Sequence, residues 1–213
     1  MKTISRQNGF VLFMTLMILV LMSIAGLALM RAVDNSTLVA GNIGYKQAAI
    51  ISSNSAIVAA TTAMAAEATL TTKDIANGYY ATPDGANTTP NVQLDWTGQT
   101  TPGDSTDDVD WDGTIAAAPT KAKQVTFSTG STTDSSGNRA YYVINRLCDD
   151  EGSPGGINCA TSDSQTAAVG STKSGAAYGQ KPLTVTSQIY YRITVKVVGP
   201  KNTVSYAQNF VLR

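Results

Sequence analysis

The clearest chemical pattern in the chain is the run DSTDDVDWDG, Asp104 to Gly113. Within it Asp108, Asp110, Asp112 and Gly113 match D-x-D-x-D-G, the opening of a calcium loop whose alternating carboxylates converge on one hard cation. The match ends there, because the twelfth position is Pro119 where a bidentate Glu is required. Three readings stand: a weak calcium candidate at Asp108, Asp110 and Asp112, a partner-binding surface, and a solvated acidic loop. Trp111, inside the same run, reads as a packing anchor with a surface role open to it. A second pair, Cys148 and Cys159, brackets the polar segment DDEGSPGGIN. An even cysteine count around a polar loop reads as one disulfide if the segment lies outside the cytoplasm, worth about 2 to 3 kcal/mol in the chain-entropy picture. A redox pair is the rival, although the spacing is far from C-x-x-C. Two cysteines without histidine cannot complete an ordinary structural zinc site.

The absence of histidine removes whole classes of mechanism. A chain of 213 residues with none has no imidazole for a Ser-His-Asp or Cys-His nucleophile and none for the commoner catalytic zinc centres. Lys and Arg number 15 and are balanced by 15 Asp and Glu, so there is no basic excess to meet a phosphate backbone. No P-loop or other nucleotide motif is present, no cofactor is expected, and abundant Asp alone does not make a catalytic pair; the chain reads as a non-enzyme.

The elements that would carry these groups differ sharply in composition. Phe10 to Met30, FVLFMTLMILVLMSIAGLALM, is 21 residues without a charge. As a helix it spans about 31 Å, close to the hydrocarbon thickness of a bilayer. Lys2 and Arg6 precede it, whereas Arg31 beyond it is balanced by Asp34, which favours a cytoplasmic N-terminus. The following residues contain no proline and many alanines as far as Leu70, and Ile43, Ile50, Ile57 and Met64 recur every seven positions. That spacing predicts one narrow apolar seam on a continuous helix of about 61 residues and roughly 90 Å. Gly26, Gly41 and Gly44 are its weak points, each costing about 1 kcal/mol relative to alanine.

Beyond Leu70, residues 71–135 are dominated by Thr, Ser, Asn, Asp and Gly and read mostly as loops, with KQVTFS (Lys123 to Ser128) the best strand candidate. Asp74 to Asp134 holds nine acidic residues against Lys121 and Lys123, while the segment from Ser135 onward holds eight basic residues against four acidic ones. Strand patterns return in RAYYVINRL (Arg139 to Leu147) and LTVTSQIYYRITVKVV (Leu183 to Val198). Tyr190 to Val198 and Val204 to Leu212 flank the turn formers Gly199-Pro200-Lys201-Asn202, which predicts a hairpin. Alternation puts Ile193, Val195 and Val197 on one face, able to cover the helix seam. The expected fold class is α+β, with residues 136–213 supplying an antiparallel sheet laid on the helix.

The first nine residues, MKTISRQNG, are short, basic and polar, end in Gly9 and abut Phe10. This junction resembles the leader of type IV prepilins, in which a dedicated peptidase cuts after the glycine and methylates the new N-terminus. VAGN (Val39 to Asn42) and the C-terminal YYRITVKVVGPKNTVSYAQNFVL are similar to the corresponding stretches of the PilX family of minor pilins. The resemblance spans the leader, the helix and the C-terminal strands and leaves residues 70–130 unexplained. It implies cleavage between Gly9 and Phe10, N-methylation of Phe10, a pilin-like fold with a transmembrane segment at 10–30, an amphipathic continuation at 31–70 and a head at 71–213, and anchorage in the inner membrane before assembly and display on the pilus or cell surface after it. Partners implied are other minor pilins and the major pilin, the inner-membrane assembly machinery and a tip adhesin, with pili serving adhesion or twitching motility. Counting from Phe10, the position where major pilins carry an intramembrane glutamate is Met14. An unpaired intramembrane carboxylate is costly, and its absence resembles the K-type minor pseudopilin at a filament tip. Two alternatives stand beside this one: a pseudopilin of a type II secretion system, and a signal-anchored periplasmic protein whose acidic loop binds a cation or other ligand.

Overall fold

The computed structural model of the chain describes residues 8–67, 70–86, 93–97, 107–127, 130–162 and 188–213. The fold is α+β: one long N-terminal helix, α1 (Asn8–Ala66), and a mostly antiparallel sheet against which the C-terminal part of that helix packs. The helix stops at Ala66, a little short of the expected Leu70. The chain divides into two units after Gln47. In the first, every helical residue from Phe10 to Gln47 is exposed, and the apolar run is long and hydrophobic enough to cross a membrane.

The second unit, Ala48–Arg213, is the head. Its strands are β1 (Tyr79–Tyr80), β2 (Val109–Asp110), β3 (Thr120–Lys121), β4 (Lys123–Gln124), β5 (Arg139–Arg146), β6 (Tyr190–Val198) and β7 (Val204–Leu212). The main sheet runs β1-β5-β6-β7, with β4 also paired to β5, and β2 and β3 form a separate parallel pair. The β6-β7 hairpin forms as the turn chemistry predicts, closed by a 3-10 turn over Pro200–Asn202. Of the described residues of KQVTFS, 123–127, Lys123–Gln124 is strand, opposite Tyr142 and Tyr141. The segment 183–187 at the start of the last expected strand run lies outside the described residues, and β6 begins at Tyr190. The sheet is not confined to 136–213: β4 lies in the strand candidate KQVTFS, and β1 comes from residues expected to be loop. Two-residue strands are too short to leave a periodic signature, and Tyr79–Tyr80 pairs parallel to Ile144–Asn145 across a long sequence separation.

One face of the sheet carries Ala140, Tyr142, Ile144, Ile193, Val195 and Val197 against the helix, as the alternation predicted for β6. The helix meets them with Ala49, Ser52, Ser53, Ala56, Ala60 and Met64, all buried. The seven-residue seam is therefore corrected: Ile43 and Ile50 are 52% and 51% exposed, Ile57 is partly buried, and only Met64 is in the core. The reason is geometric. A strict seven-residue series drifts by about 20° per heptad around a straight α-helix, so only its last members swing onto the sheet side. The packing face instead follows steps of three and four. It uses small side chains because the large sheet residues already fill the layer. The opposite sheet face is covered by a second cluster of Tyr80, Leu94, Val109, Trp111, Tyr141 and Val143, so the acidic middle of the chain contributes an outer layer.

Candidate functional site

At the N-terminus, α1 begins at Asn8, which places the Gly9/Phe10 junction in the first helical turn. Phe10 and Met14 are both exposed. The apolar face of the helix in the head is more informative. Ile51 and Val58 are seven residues apart and lie on the side away from the sheet, 67% and 64% exposed. They border an open groove of about 510 Å3 whose other wall is Val125, Thr126 and Phe127.

Cys148 and Cys159 form a disulfide. It closes a small antiparallel excursion in which Asp149 N donates to Asn158 O at 2.9 Å and Ala160 N to Leu147 O at 2.7 Å. Beside it is a group that composition did not single out, Arg146, the last residue of β5, which is fully buried. Its guanidinium donates Nε to Ala81 O (3.1 Å), Nη1 to Leu70 O (2.7 Å) and Gly152 O (3.0 Å), and Nη2 to Asp150 O (3.1 Å). Four carbonyl dipoles from three separate segments thus solvate one charge. The Tyr79 hydroxyl also donates to Leu70 O at 2.7 Å, and burial raises the Tyr79 phenol well above its usual range. Burial likewise pushes Tyr80 up to about 12, while its hydroxyl donates to Lys121 O at 2.9 Å. At the helix C-terminus, Arg213 donates to the carbonyls of Met64 and Glu67, supplying donors that the last turn lacks.

The acidic run behaves differently from a cation loop. Asp110 Oδ1 accepts from Gly113 N (2.7 Å) and Ile115 N (3.3 Å), and Asp112 Oδ1 accepts from Thr114 Oγ1 (2.6 Å) and Thr114 N (3.3 Å). The Thr114 hydroxyl bond is the main reason the Asp112 carboxyl is held below the usual carboxylate range. Asp108 and Asp110 are buried, and among the described residues no three acidic, Cys or His side chains gather where a metal could bind. Asp108, Asp110 and Asp112 are therefore not gathered into one ligand set. Alternation along the sequence gives convergence only if the loop wraps around the ion, and here the carboxylates of Asp110 and Asp112 fold back onto the loop's own N–H groups. Trp111 is a packing anchor, buried, with Nε1 donating to Trp96 O at 2.8 Å.

A second pin links helix to sheet. The Ser52 hydroxyl donates to Asp134 Oδ2 and accepts from Asn138 Nδ2 (3.0 Å); Asp134 also accepts from the backbone N–H groups of Ser136 and Asn138, both at 2.8 Å. Partial burial pushes the Asp134 carboxyl up, but the bonds from Ser52, Asn138 and Ser136 outweigh it and hold the group below its ordinary value. A carboxylate depressed in the folded state contributes stability that is complete above its unfolded pKa of about 4 and is lost as pH falls through the folded value. Asp134→Asn is therefore expected to flatten the acid limb of a thermal-stability profile recorded between about pH 5 and pH 2. An unchanged acid slope in that variant would show that Asp134 carries no linkage.

No family model, curated protein or solved structure matches this chain. The long N-terminal helix packed on a mostly antiparallel sheet defines an α+β protein with a disulfide-bonded head and, among the described residues, one helix long and apolar enough to cross a membrane.

Proposed function

We propose that the chain is a minor pilin of the PilX type, held in the inner membrane by residues 10–30, cut between Gly9 and Phe10 by prepilin peptidase, and inserted with other minor pilins and the major pilin into a complex that primes type IV pilus assembly. One observation carries the reading: the helix has apolar surface that none of the described residues of the head covers. Lipid can take Phe10 to Met30, but Ile50, Ile51 and Val58 lie where the helix is already packed on a folded head. An apolar stripe there is satisfied by another protein, and a seven-residue repeat is the spacing that suits a neighbouring helix rather than a sheet. Between lipid-borne helices there is little hydrophobic driving force, so head-level contacts of this kind would decide which subunits join. Met14 in place of a carboxylate favours a place at or near the tip, where an adhesin could be carried.

A secretion pseudopilin shares this geometry and differs in its partners. The signal-anchored cation-binding alternative is less favoured, since Asp110 and Asp112 each turn one carboxylate oxygen, Oδ1, onto Gly113, Ile115 or Thr114 and no three acidic, Cys or His side chains gather for a metal among the described residues. Mass spectrometry of the protein purified from native envelopes tests the proposal. The expected product begins at N-methylated Phe10, and replacing Gly9 by a bulky residue should leave it uncut and the cells without pili. A native protein that retains Met1 would overturn the reading.

A further inference from the structure

The outer face of the sheet holds a cleft that neither the membrane anchor nor the assembly stripe uses. It has a volume of about 250 Å3 and is bordered by Trp111, Asp112, Arg139, Tyr141, Lys196 and Asn202. Arg139 pairs with Val198, and Tyr141 with Lys196, across β5 and β6. Arg139 and Lys196 are therefore diagonal neighbours on one face, about 7 to 8 Å apart at the backbone, a gap that one small anion can bridge. Neither cation makes an ion pair among the described residues, where Lys73–Glu151 is the pair within 4.0 Å. The Lys196 ammonium instead rests 5.7 Å from the Trp111 ring centroid and 5.9 Å from that of Tyr206. Those rings fix its position without neutralising it, and burial lowers its pKa while the Asp112 charge raises it. A partly buried ammonium held between two rings, diagonal to an exposed guanidinium, can receive a carboxylate, which arginine can grip with two parallel bonds.

Asp112 decides what kind of anion fits. Two cations and one carboxylate leave a single net positive charge, which suits a monoanion and disfavours phosphate or sulfate. Asp112 Oδ2 and the Asn202 side chain are suited to hydroxyl and other polar groups, while the mostly buried Trp111 and Tyr141 give the cleft an apolar floor. The volume lies just below that of drug-sized sites and matches one ring with its substituents. From these features we infer that the cleft binds the acidic end of a carbohydrate, a pyranose carrying one carboxylate with Arg139 and Lys196 on the carboxylate and Asp112 on its hydroxyls.

The inference is independent of the pilus reading, which rests on the helix. It is tested on the full chain in phosphatidylcholine nanodiscs, which avoid sugar-headed detergents, by titrating glucuronate, glucose and sodium sulfate while following tryptophan fluorescence and heat. Glucuronate is expected to bind at least about tenfold more tightly than glucose or sulfate, and Arg139→Gln and Lys196→Gln should each weaken it about tenfold, as loss of a charged hydrogen bond implies. Arg139 is exposed at the start of β5, so its variant keeps the test valid even if Lys196→Gln disturbs the sheet. The proposal is overturned by no response to glucuronate up to about 50 mM, where a dissociation constant near 1 mM would be saturated. Equal binding of glucose or of sulfate, or unchanged affinity in Arg139→Gln, overturns it too.

Discussion

Replacing Arg146 with methionine is expected to destabilise the head by about 4 kcal/mol, a large fraction of the roughly 5 to 15 kcal/mol that holds an ordinary domain folded. The side chain is fully buried and its charge is held by carbonyls rather than by a carboxylate. Methionine fills a comparable volume but donates nothing. The carbonyls of Ala81, Asp150 and Gly152 would lose this donor, as would that of Leu70, which keeps only Tyr79; each buried acceptor left unmet costs about 1 to 3 kcal/mol. The three tethered segments are the exit from the helix, the chain after β1 and the disulfide loop, so their loosening should be concerted. Urea unfolding followed by circular dichroism reads the loss, and hydrogen exchange should report it first at residues 149–152. Arg146→Lys retains the charge but cannot span four acceptors with a planar fork, and should recover less than half of the stability. A methionine variant as stable as the parent would mean that the carbonyls find water and that the guanidinium is incidental.

The double substitution Ile51→Asp and Val58→Asp is expected to behave in the opposite way, with folding intact and assembly lost. Both side chains are exposed on the helix face away from the sheet, so two carboxylates there remove no core contact and should shift stability by less than about 0.5 kcal/mol per site. Any neighbouring subunit that covers this stripe would instead have to desolvate two charges against apolar surface, which costs several kcal/mol. Crosslinking and co-purification from envelopes should therefore lose partner subunits, by at least about a hundredfold in recovered complex, while the thermal midpoint of the purified chain stays put. Full incorporation of the double variant would remove the stripe from the assembly interface. A parallel change at Ala56, which faces the sheet and is fully buried, is the contrasting control, since it should unfold the head.

These two sites also separate what could be read in the chain from what could not. The hairpin from Tyr190 to Leu212 was legible because alternation and turn formers are local signals, and the register follows from them. The helix was legible from composition, yet its packing face was not. The eye follows large residues, and the face that meets the sheet is built of alanine and serine. The acidic run left its readings open for a related reason, since the spacing of Asp110 and Asp112 is equally good for a cation and for capping Gly113, Ile115 and Thr114 N–H groups.

By itself the sequence determined that one uncharged run can cross a bilayer, that a long proline-free helix continues from it, that two cysteines stand ready to pair, and that no imidazole chemistry operates. Each of these depends on residue type and short-range periodicity, which the chain carries wherever it folds. Only the tertiary structure decided that Ile51 and Val58 face away from the head, that Arg146 gathers three segments around one charge, and that Arg139 and Lys196 meet beside Trp111. Those outcomes depend on strand register and on the angular drift of side chains around a helix. Both bring together residues tens of positions apart, a distance over which a pattern of types says nothing about direction.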